Sequence, residues 1–189
     1  NVESQDLWLI FTRRGVDIDG YPAVKAHLQA FRKQLEAKPD AWDDKTQGAW
    51  PGRKAGSYEW YHIQDNIAYW EEFLLPKIIV PAITDNVNYA PDLTGYFSND
   101  KTSIVVSEDW RYLLTILNSA VSWWLTQQLF ASKQGGFFEF KPMYVSAIPI
   151  PQVTNDQRTV LAPLVEAAIQ GTSRPEYERL LNGLVYELF

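Results

Sequence analysis

The sequence contains no cysteine, and its only histidines are His27 and His62. The lack of cysteine excludes disulfide bonds, thiolate nucleophiles and cysteine-ligated metal sites. The two histidines lie far apart in the sequence, and neither has a metal-ligand partner at a useful spacing. The G-x-S-x-G, P-loop and G-x-G-x-x-G motifs are also absent. These absences predict that the chain carries no catalytic, metal or cofactor site of its own.

No hydrophobic run is long enough to span a bilayer, and no signal-like segment opens the chain. We therefore expect no membrane partner, and the lack of cysteine is consistent with a cytoplasmic location. The only methionine is Met143, so Asn1 is not an initiator residue. We expect the chain to be part of a larger protein.

The formal net charge is −6, whereas a free nucleic-acid-binding domain is usually basic. The charge is not uniform along the chain. From Lys25 to Lys54 there are seven Lys or Arg residues against four acidic ones. A basic stretch on an acidic body is compatible with a partner that contacts only one face.

The apolar fraction of 46% and the eight tryptophans are enough for a packed core, and the mixture of patterns predicts an α+β fold. Runs in which apolar residues alternate or are continuous predict strands. Apolar residues spaced three and four positions apart predict a first helix that starts at Pro22 and ends before Pro39. Residues 40–57 lack periodicity, which is typical of a long loop. The predicted strands are residues 7–12, 77–83, 103–108 and 136–141.

Trp110 to Leu125 keeps a three–four apolar spacing for about four turns, which predicts one long amphipathic helix. The I-P-I-P sequence at 148–151 excludes regular helix and indicates an extended boundary. Two more helical patterns follow it. The sequence therefore predicts an α+β body over residues 1–151 and a C-terminal helical appendage over residues 152–189.

One pattern suggests a nuclease. Pro91-Asp92 and Glu139-Phe140-Lys141 match the loose P-D…E-x-K pattern, in which carboxylates hold Mg²⁺ and the lysine assists an attacking water. The pattern is short and tolerant, and its two halves are far apart here. We interpret it as a coincidence.

Several stretches of the chain are informative when they are taken in order: IFTRRGVDIDGYPAVKAHLQAFRKQLEAKP, WYHIQ, LPKIIVPAIT, GYFSND, YLLTILNSAVSWWL and FKPMYVSAIPIPQ. The most specific set is I-L-N-S at 116–119, I-P-I-P at 148–151 and the closing L-V-Y-E-L-F. Together these stretches resemble the TaqI-like C-terminal specificity domain of adenine-specific DNA methyltransferases, especially the large type IIG restriction–modification enzymes. The resemblance covers nearly the whole chain and is least in residues 40–57, as expected of a loop that varies with the DNA sequence read.

The resemblance implies a mixed-sheet target recognition domain whose partners are double-stranded DNA and an upstream methyltransferase domain of the same polypeptide. That upstream domain would bind S-adenosylmethionine, carry an N-P-P-Y motif and flip the adenine for N6 methylation. This chain has no such motif. Whether the parent enzyme also cleaves DNA stays open.

Readout of base edges requires side chains with fixed donor and acceptor geometry, and phosphate contacts require cations. Such groups occur on the loop at 40–57 and at two further places. One alternative is a solubilising loop whose Trp50 and Trp60 tuck into the core, and for Trp60 we favour it because WYHIQ belongs to the shared framework. A separate alternative for the whole chain is a protein-interaction or scaffolding domain without DNA contact. The predicted DNA-binding residues are Lys45, Gln47, Arg53, Lys54, Ser57, Tyr58, Asn86, Asn88 and Lys133, with Thr46, Tyr89, residues 98–101, Lys77 and Lys141 as further candidates.

Overall fold

The computed structural model describes residues 2, 6–171 and 175–189, except for the side chain of Tyr177. Within these residues the chain divides into an N-terminal unit, Asp6–Trp70, and a C-terminal unit that begins at Glu71. Helices are combined with small antiparallel sheets, so the predicted α+β class is confirmed. The predicted boundary at residue 151 stays a prediction.

Three short helices lie in the N-terminal unit: α1 (Pro22–Gln29), α2 (Arg32–Leu35) and α3 (Asp44–Gln47). Pro22 begins α1 because its fixed φ suits the first turn, where no donor is needed. The predicted first helix is thus present, but it is interrupted between α1 and α2. The predicted loop contains one helical turn, α3, whose N-terminus is capped by the side chain of Asp43.

The predicted strand at residues 7–12 is wrong. This segment is extended but pairs with no strand among the described residues, and Leu7, Trp8 and Leu9 are 80%, 98% and 61% exposed. A strand needs a partner to satisfy its ladder of hydrogen bonds, and an apolar pattern cannot reveal whether that partner exists. The end of the segment is anchored where the carbonyl of Thr12 accepts a hydrogen bond from the backbone of Ile63 at 2.8 Å.

The C-terminal unit contains two three-stranded antiparallel sheets. In the first, β1 (Lys77–Pro81) lies between β3 (Ala90–Asp92) and β4 (Thr102–Val106). In the second, β6 (Phe138–Glu139) lies between β2 (Ile83–Thr84) and β5 (Ala131–Ser132). The predicted strands β1, β4 and β6 are confirmed, whereas β3 was not among the predicted strands.

The predicted long helix is two helices, α4 (Trp110–Leu117) and α5 (Ala120–Leu129). The break falls at Asn118-Ser119, where Ser119 accepts a hydrogen bond from the backbone of Ser122 and caps α5. Asn118 uses its side chain to pair with the backbone of Tyr89, accepting from N at 3.0 Å and donating to O at 2.9 Å. The apolar spacing continues across the break, so periodicity alone could not show it.

After the short helix α6 (Pro142–Val145), an extended segment leads to α7 (Asn155–Ile169) and α8 (Pro175–Tyr186). Both helices pack against α4, since a buried cluster joins Tyr112, Ile116, Leu161 and Val185. A second buried cluster joins the first sheet to α4 and includes Ile78, Val80, Trp110 and Leu114. In the part of the chain that is described, no helix is long and apolar enough to cross a membrane.

Candidate nucleic-acid interface

Five consecutive backbone carbonyls in the N-terminal unit are held by side chains from other parts of the chain. They belong to residues 60–64, the WYHIQ sequence, which we call the framework segment. Arg53 donates to the carbonyls of residues 60 and 62, at 2.8 and 2.6 Å. Arg14 donates to those of residues 63 and 64, and Thr12 to that of residue 61. The segment is therefore fixed by polar bonds in a unit whose buried residues, among those described, are Thr12, Ile18 and His62.

Arg53 was predicted to bind DNA, but its guanidinium is bonded to backbone carbonyls of the N-terminal unit. Its Nε donates to the carbonyl of Leu35 at 2.6 Å, so all three guanidinium nitrogens are bonded within the unit. The guanidinium also lies 4.7 Å from the ring centre of Tyr58, and Arg14 lies 5.2 Å from the same ring. These bonds leave Arg53 and Tyr58 poorly placed to reach a base, and we reassign them to positioning the loop.

His62 lies inside this arrangement. Its Nδ1 accepts a hydrogen bond from the backbone of Glu59 at 3.1 Å, which leaves the proton on Nε2, and Nε2 is buried with no partner among the described residues. Burial lowers the pKa of His62, and the positive charges of Arg14 and Arg53 lower it further. The neutral imidazole is therefore the form that the folded unit accommodates.

The loop is also tied to the end of α2. Trp50 donates from Nε1 to the carbonyl of Glu36 at 3.2 Å and packs edge-on against Trp42, with ring centres 4.9 Å apart. A Cβ at Gly52 would lie 2.3 Å from the Glu36 carbonyl oxygen, so only glycine fits this approach. The loop is consequently an ordered structure that tucks its tryptophans inward, as the alternative interpretation of Trp50 expected.

Other predicted residues of the loop point outward. Lys45, Gln47, Lys54 and Ser57 are all exposed. Lys45 makes no ion pair among the described residues, whereas Lys54 pairs with Asp65 at 2.8 Å. The side-chain oxygen of Gln47 accepts from the backbone of Asp43 at 3.1 Å, which leaves its amide nitrogen facing outward as a donor. These four side chains form what we call the outer loop face.

The second predicted surface lies in the C-terminal unit. Asn86 and Asn88 are exposed in the turn after β2, where Asn88 donates to the hydroxyl of Thr84 at 3.1 Å. Lys133 is exposed and lies 3.3 Å from the carboxylate of Glu139. Tyr89 is buried, so the expectation that it belongs to this surface is wrong. Its ring packs in the core against that of Phe140 instead, with ring centres 5.8 Å apart.

Lys77 is fully buried, which excludes the suggested phosphate contact. Its Nζ donates to Asp92 and to the carbonyl of Phe73, the latter at 2.7 Å. Asp92 also accepts from the backbone and hydroxyl of Thr94, at 2.9 and 2.8 Å, and from the backbone of Tyr96 at 2.9 Å. Burial alone would raise the pKa of Asp92, but the hydrogen bonds from Lys77 and Thr94 outweigh it and lower the pKa.

These bonds decide against the nuclease pattern. A catalytic metal ligand needs free lone pairs at an accessible site, and both oxygens of Asp92 are engaged inside the protein. Across residues 6–171 and 175–189 no group of three or more His, Asp or Glu side chains has the geometry to hold a metal ion. Asp92 is therefore a structural residue of the first sheet.

Comparison with known proteins points to one family. Residues 20–150 match the model of the TaqI-like C-terminal specificity domain. The chain is 25% identical over 176 residues to the type II methyltransferase M.XhoI of Xanthomonas vasicola, and 27% identical over 157 residues to the type II methyltransferase M.PaeR7I of Pseudomonas aeruginosa. These alignments cover 92% and 82% of the chain but only 29% and 25% of the two relatives.

The family match covers well over half of the chain, and both relatives are methyltransferases much longer than the matched region. The role that fits these matches is specificity in restriction–modification. Two of the sequences that carried the resemblance have structural roles. Asn118 of I-L-N-S bonds to the backbone of Tyr89, and W-Y-H-I-Q supplies a carbonyl to Arg53 of the loop. The chain belongs to the family of TaqI-like C-terminal specificity domains.

Proposed function

We propose that the chain is the target recognition domain of an adenine-N6 DNA methyltransferase, which reads the sequence of double-stranded DNA and directs an upstream catalytic domain of the same polypeptide to its site. Family membership and the two methyltransferase relatives support this proposal. Binding of S-adenosylmethionine and methyl transfer are assigned to the part of the polypeptide outside this chain. A cytoplasmic location and a type IIG parent, with or without a nuclease, belong to the same proposal.

The outer loop face carries the proposal. Base edges in the major groove are read by donors and acceptors held in fixed positions, and phosphates by cations. Gln47 offers an amide, Ser57 a hydroxyl, and Lys45 and Lys54 their ammonium groups, all exposed on one loop. A loop on a rigid support is a common place for binding residues, because recognition needs both accessibility and a fixed backbone.

The arginine bonds supply that rigidity. Arg53 connects the loop to the end of α2 and to the framework segment, and Gly52 allows the close approach. A loop held in this way has already lost most of its conformational freedom before it meets DNA. Binding then costs less entropy, which favours discrimination between sequences.

A second function is favoured by one observation. Leu7, Trp8 and Leu9 form a contiguous exposed apolar segment, and such surfaces commonly mark contacts between proteins. Under this alternative the chain is an interaction or scaffolding domain without DNA contact.

Fluorescence anisotropy of the full-length protein that contains this chain distinguishes the two functions. Cognate and scrambled duplexes are titrated at several salt concentrations. We expect tighter binding to the cognate duplex, and affinity for both duplexes that falls as salt rises, because phosphate contacts release counterions. Equal and weak affinity for both duplexes at every salt concentration would leave the interaction domain as the better account.

A further inference from the structure

Lys133 and Lys141 share a single carboxylate. The Nζ atom of each lies 3.3 Å from Oε2 of Glu139. Every other ion pair of the described residues joins one cation to one acid. The group around Glu139 therefore has one positive charge left over, on a chain whose net charge is −6.

The local backbone dictates this arrangement. Because β5 and β6 pair antiparallel with Ser132 opposite Phe138, Lys133 and Glu139 are diagonal neighbours across the two strands. Lys141 lies two residues beyond Glu139 along the chain, and a spacing of two returns a side chain to the same face of an extended segment. The three charged groups thus meet without any contribution from the N-terminal unit.

An open cleft of about 560 Å³ adjoins these groups. Glu139 and Lys141 line it, together with residues 100–103 before and at the start of β4, where Asp100 and Lys101 pair with each other at 3.1 Å. The side chains of Lys133 and Lys141 are 43% and 55% exposed, whereas that of Glu139 is 20% exposed. An approaching anion therefore meets the two ammonium groups before it meets the carboxylate beneath them.

We propose that Lys133 and Lys141, at the edge of this cleft that Glu139 forms, bind a phosphate of the DNA backbone, and that Glu139 is the internal anion with which the phosphate competes. The inference rests on the proposed function, because it presumes that DNA is the partner. Competition by Glu139 weakens binding to any duplex equally, since backbone contacts carry no sequence information. Glu139 thereby increases the share of the affinity that comes from base contacts.

The test compares variants of the full-length protein on a scrambled duplex between about 50 and 200 mM salt. We expect Glu139→Gln to bind about threefold tighter than the parent at the lowest salt, because the lysines lose their internal competitor, and we expect this gain to shrink as the salt concentration rises. Glu187→Gln is the matched control, because it removes one negative charge from an exposed position of the same unit that makes no ion pair among the described residues. It should bind as the parent does.

Replacement of both Lys133 and Lys141 by alanine should make the slope of log affinity against log salt shallower by about one, because contact with one phosphate is lost, and replacement of both by arginine should preserve the slope. The double-alanine variant could lose affinity because it misfolds. A gain of affinity in Glu139→Gln cannot have that cause, so this variant keeps the test valid. A Glu139→Gln protein that binds no tighter than Glu187→Gln, or a double-alanine slope equal to the parental one, would overturn this inference and leave sequence recognition intact. Loss of cognate preference in the parent itself would instead overturn the proposed function.

Discussion

Lys77 and Asp92 form an ion pair that is closed to solvent, with Nζ and Oδ2 2.5 Å apart and side-chain exposures of 0% and 1%. The pair joins adjacent strands, since Lys77 stands opposite Asp92 in the register of β1 and β3. Removal of water from two charges is costly. Here the cost is offset by the hydrogen bond that Lys77 donates to the carbonyl of Phe73 and by those that Asp92 accepts from the backbones of Thr94 and Tyr96. The first sheet therefore depends on both partners.

Replacement of Lys77 by alanine should lower the free energy of unfolding by about 3–5 kcal/mol, because it leaves the Asp92 carboxylate buried and unpaired. Urea unfolding measures the change. Lys101→Ala is the control, since Lys101 is exposed and its pair with Asp100 should contribute at most about 1 kcal/mol. Similar losses in the two variants would show that the Lys77 pair is not a structural requirement.

Replacement of Arg53 by alanine should destabilise the N-terminal unit by at least about 2 kcal/mol, because three carbonyls lose a charged donor. Lysine should not rescue the variant, since one ammonium cannot reproduce the planar fork that serves residues 35, 60 and 62. Protection of the framework amides from hydrogen exchange reports on this unit separately. Unchanged protection in Arg53→Ala would return Arg53 to the candidates for base contact.

Replacement of Gln47 by alanine should change recognition while stability stays within about 0.5 kcal/mol of the parent. If Gln47 reads a base, its loss should cost about 1–3 kcal/mol at one position of the target site and leave the other positions unaffected. Methylation of a library of duplexes, each altered at one position, gives the measurement. Gln170→Ala is a control outside the loop, and equal behaviour of the two variants would remove Gln47 from the proposed interface.

His62 should make the stability of the N-terminal unit depend on pH. Its pKa in the folded chain is lowered from 6.5, so below pH 6.5 the unfolded chain takes up a proton that the folded chain resists. The stabilisation is complete above the pKa of the unfolded chain, 6.5, and is lost progressively as the pH falls below it. Burial and the nearby charges of Arg14 and Arg53 oppose protonation, whereas Glu59 favours it.

Urea unfolding at a series of pH values checks this dependence. His62→Asn should flatten it, because asparagine can still accept from the backbone of Glu59 but does not titrate. His27→Asn is the matched control, since His27 is exposed. If the His62 variant and the parent lose stability in parallel as the pH falls, another group is responsible.

The α+β class, three of the strands and both C-terminal helices follow from apolar patterns, because such patterns record which faces are buried. The isolated segment at residues 7–12 shows the limit of the method, since its apolar character says nothing about a partner strand. The break between α4 and α5 depends on the polar bonds of Asn118 to Tyr89, 29 residues away in the chain, and no local period encodes it.

The candidate site follows the same division. That the loop carries polar groups was visible in its composition, and the exposure of Lys45, Gln47 and Lys54 agrees with it. The internal engagement of Arg53 was not visible, because an arginine that binds distant carbonyls looks in sequence like one that is free. The group of Lys133, Glu139 and Lys141 could have been predicted from the sequence. Gly135-Gly136 indicates a turn between Lys133 and Glu139, and a spacing of two places Glu139 and Lys141 on one face.

The bonds from Thr12, Arg14 and Arg53 to the framework segment all end on carbonyl oxygens. Every amino acid has that oxygen, so the clamp places no demand on side-chain identity in the segment it holds. The loop, in turn, is held through the guanidinium of Arg53 and the close approach at Gly52, while its outward side chains take no part in those bonds. The side chains of residues 45–47 can therefore be substituted, by evolution or in the laboratory, while the bonds that hold the loop stay the same.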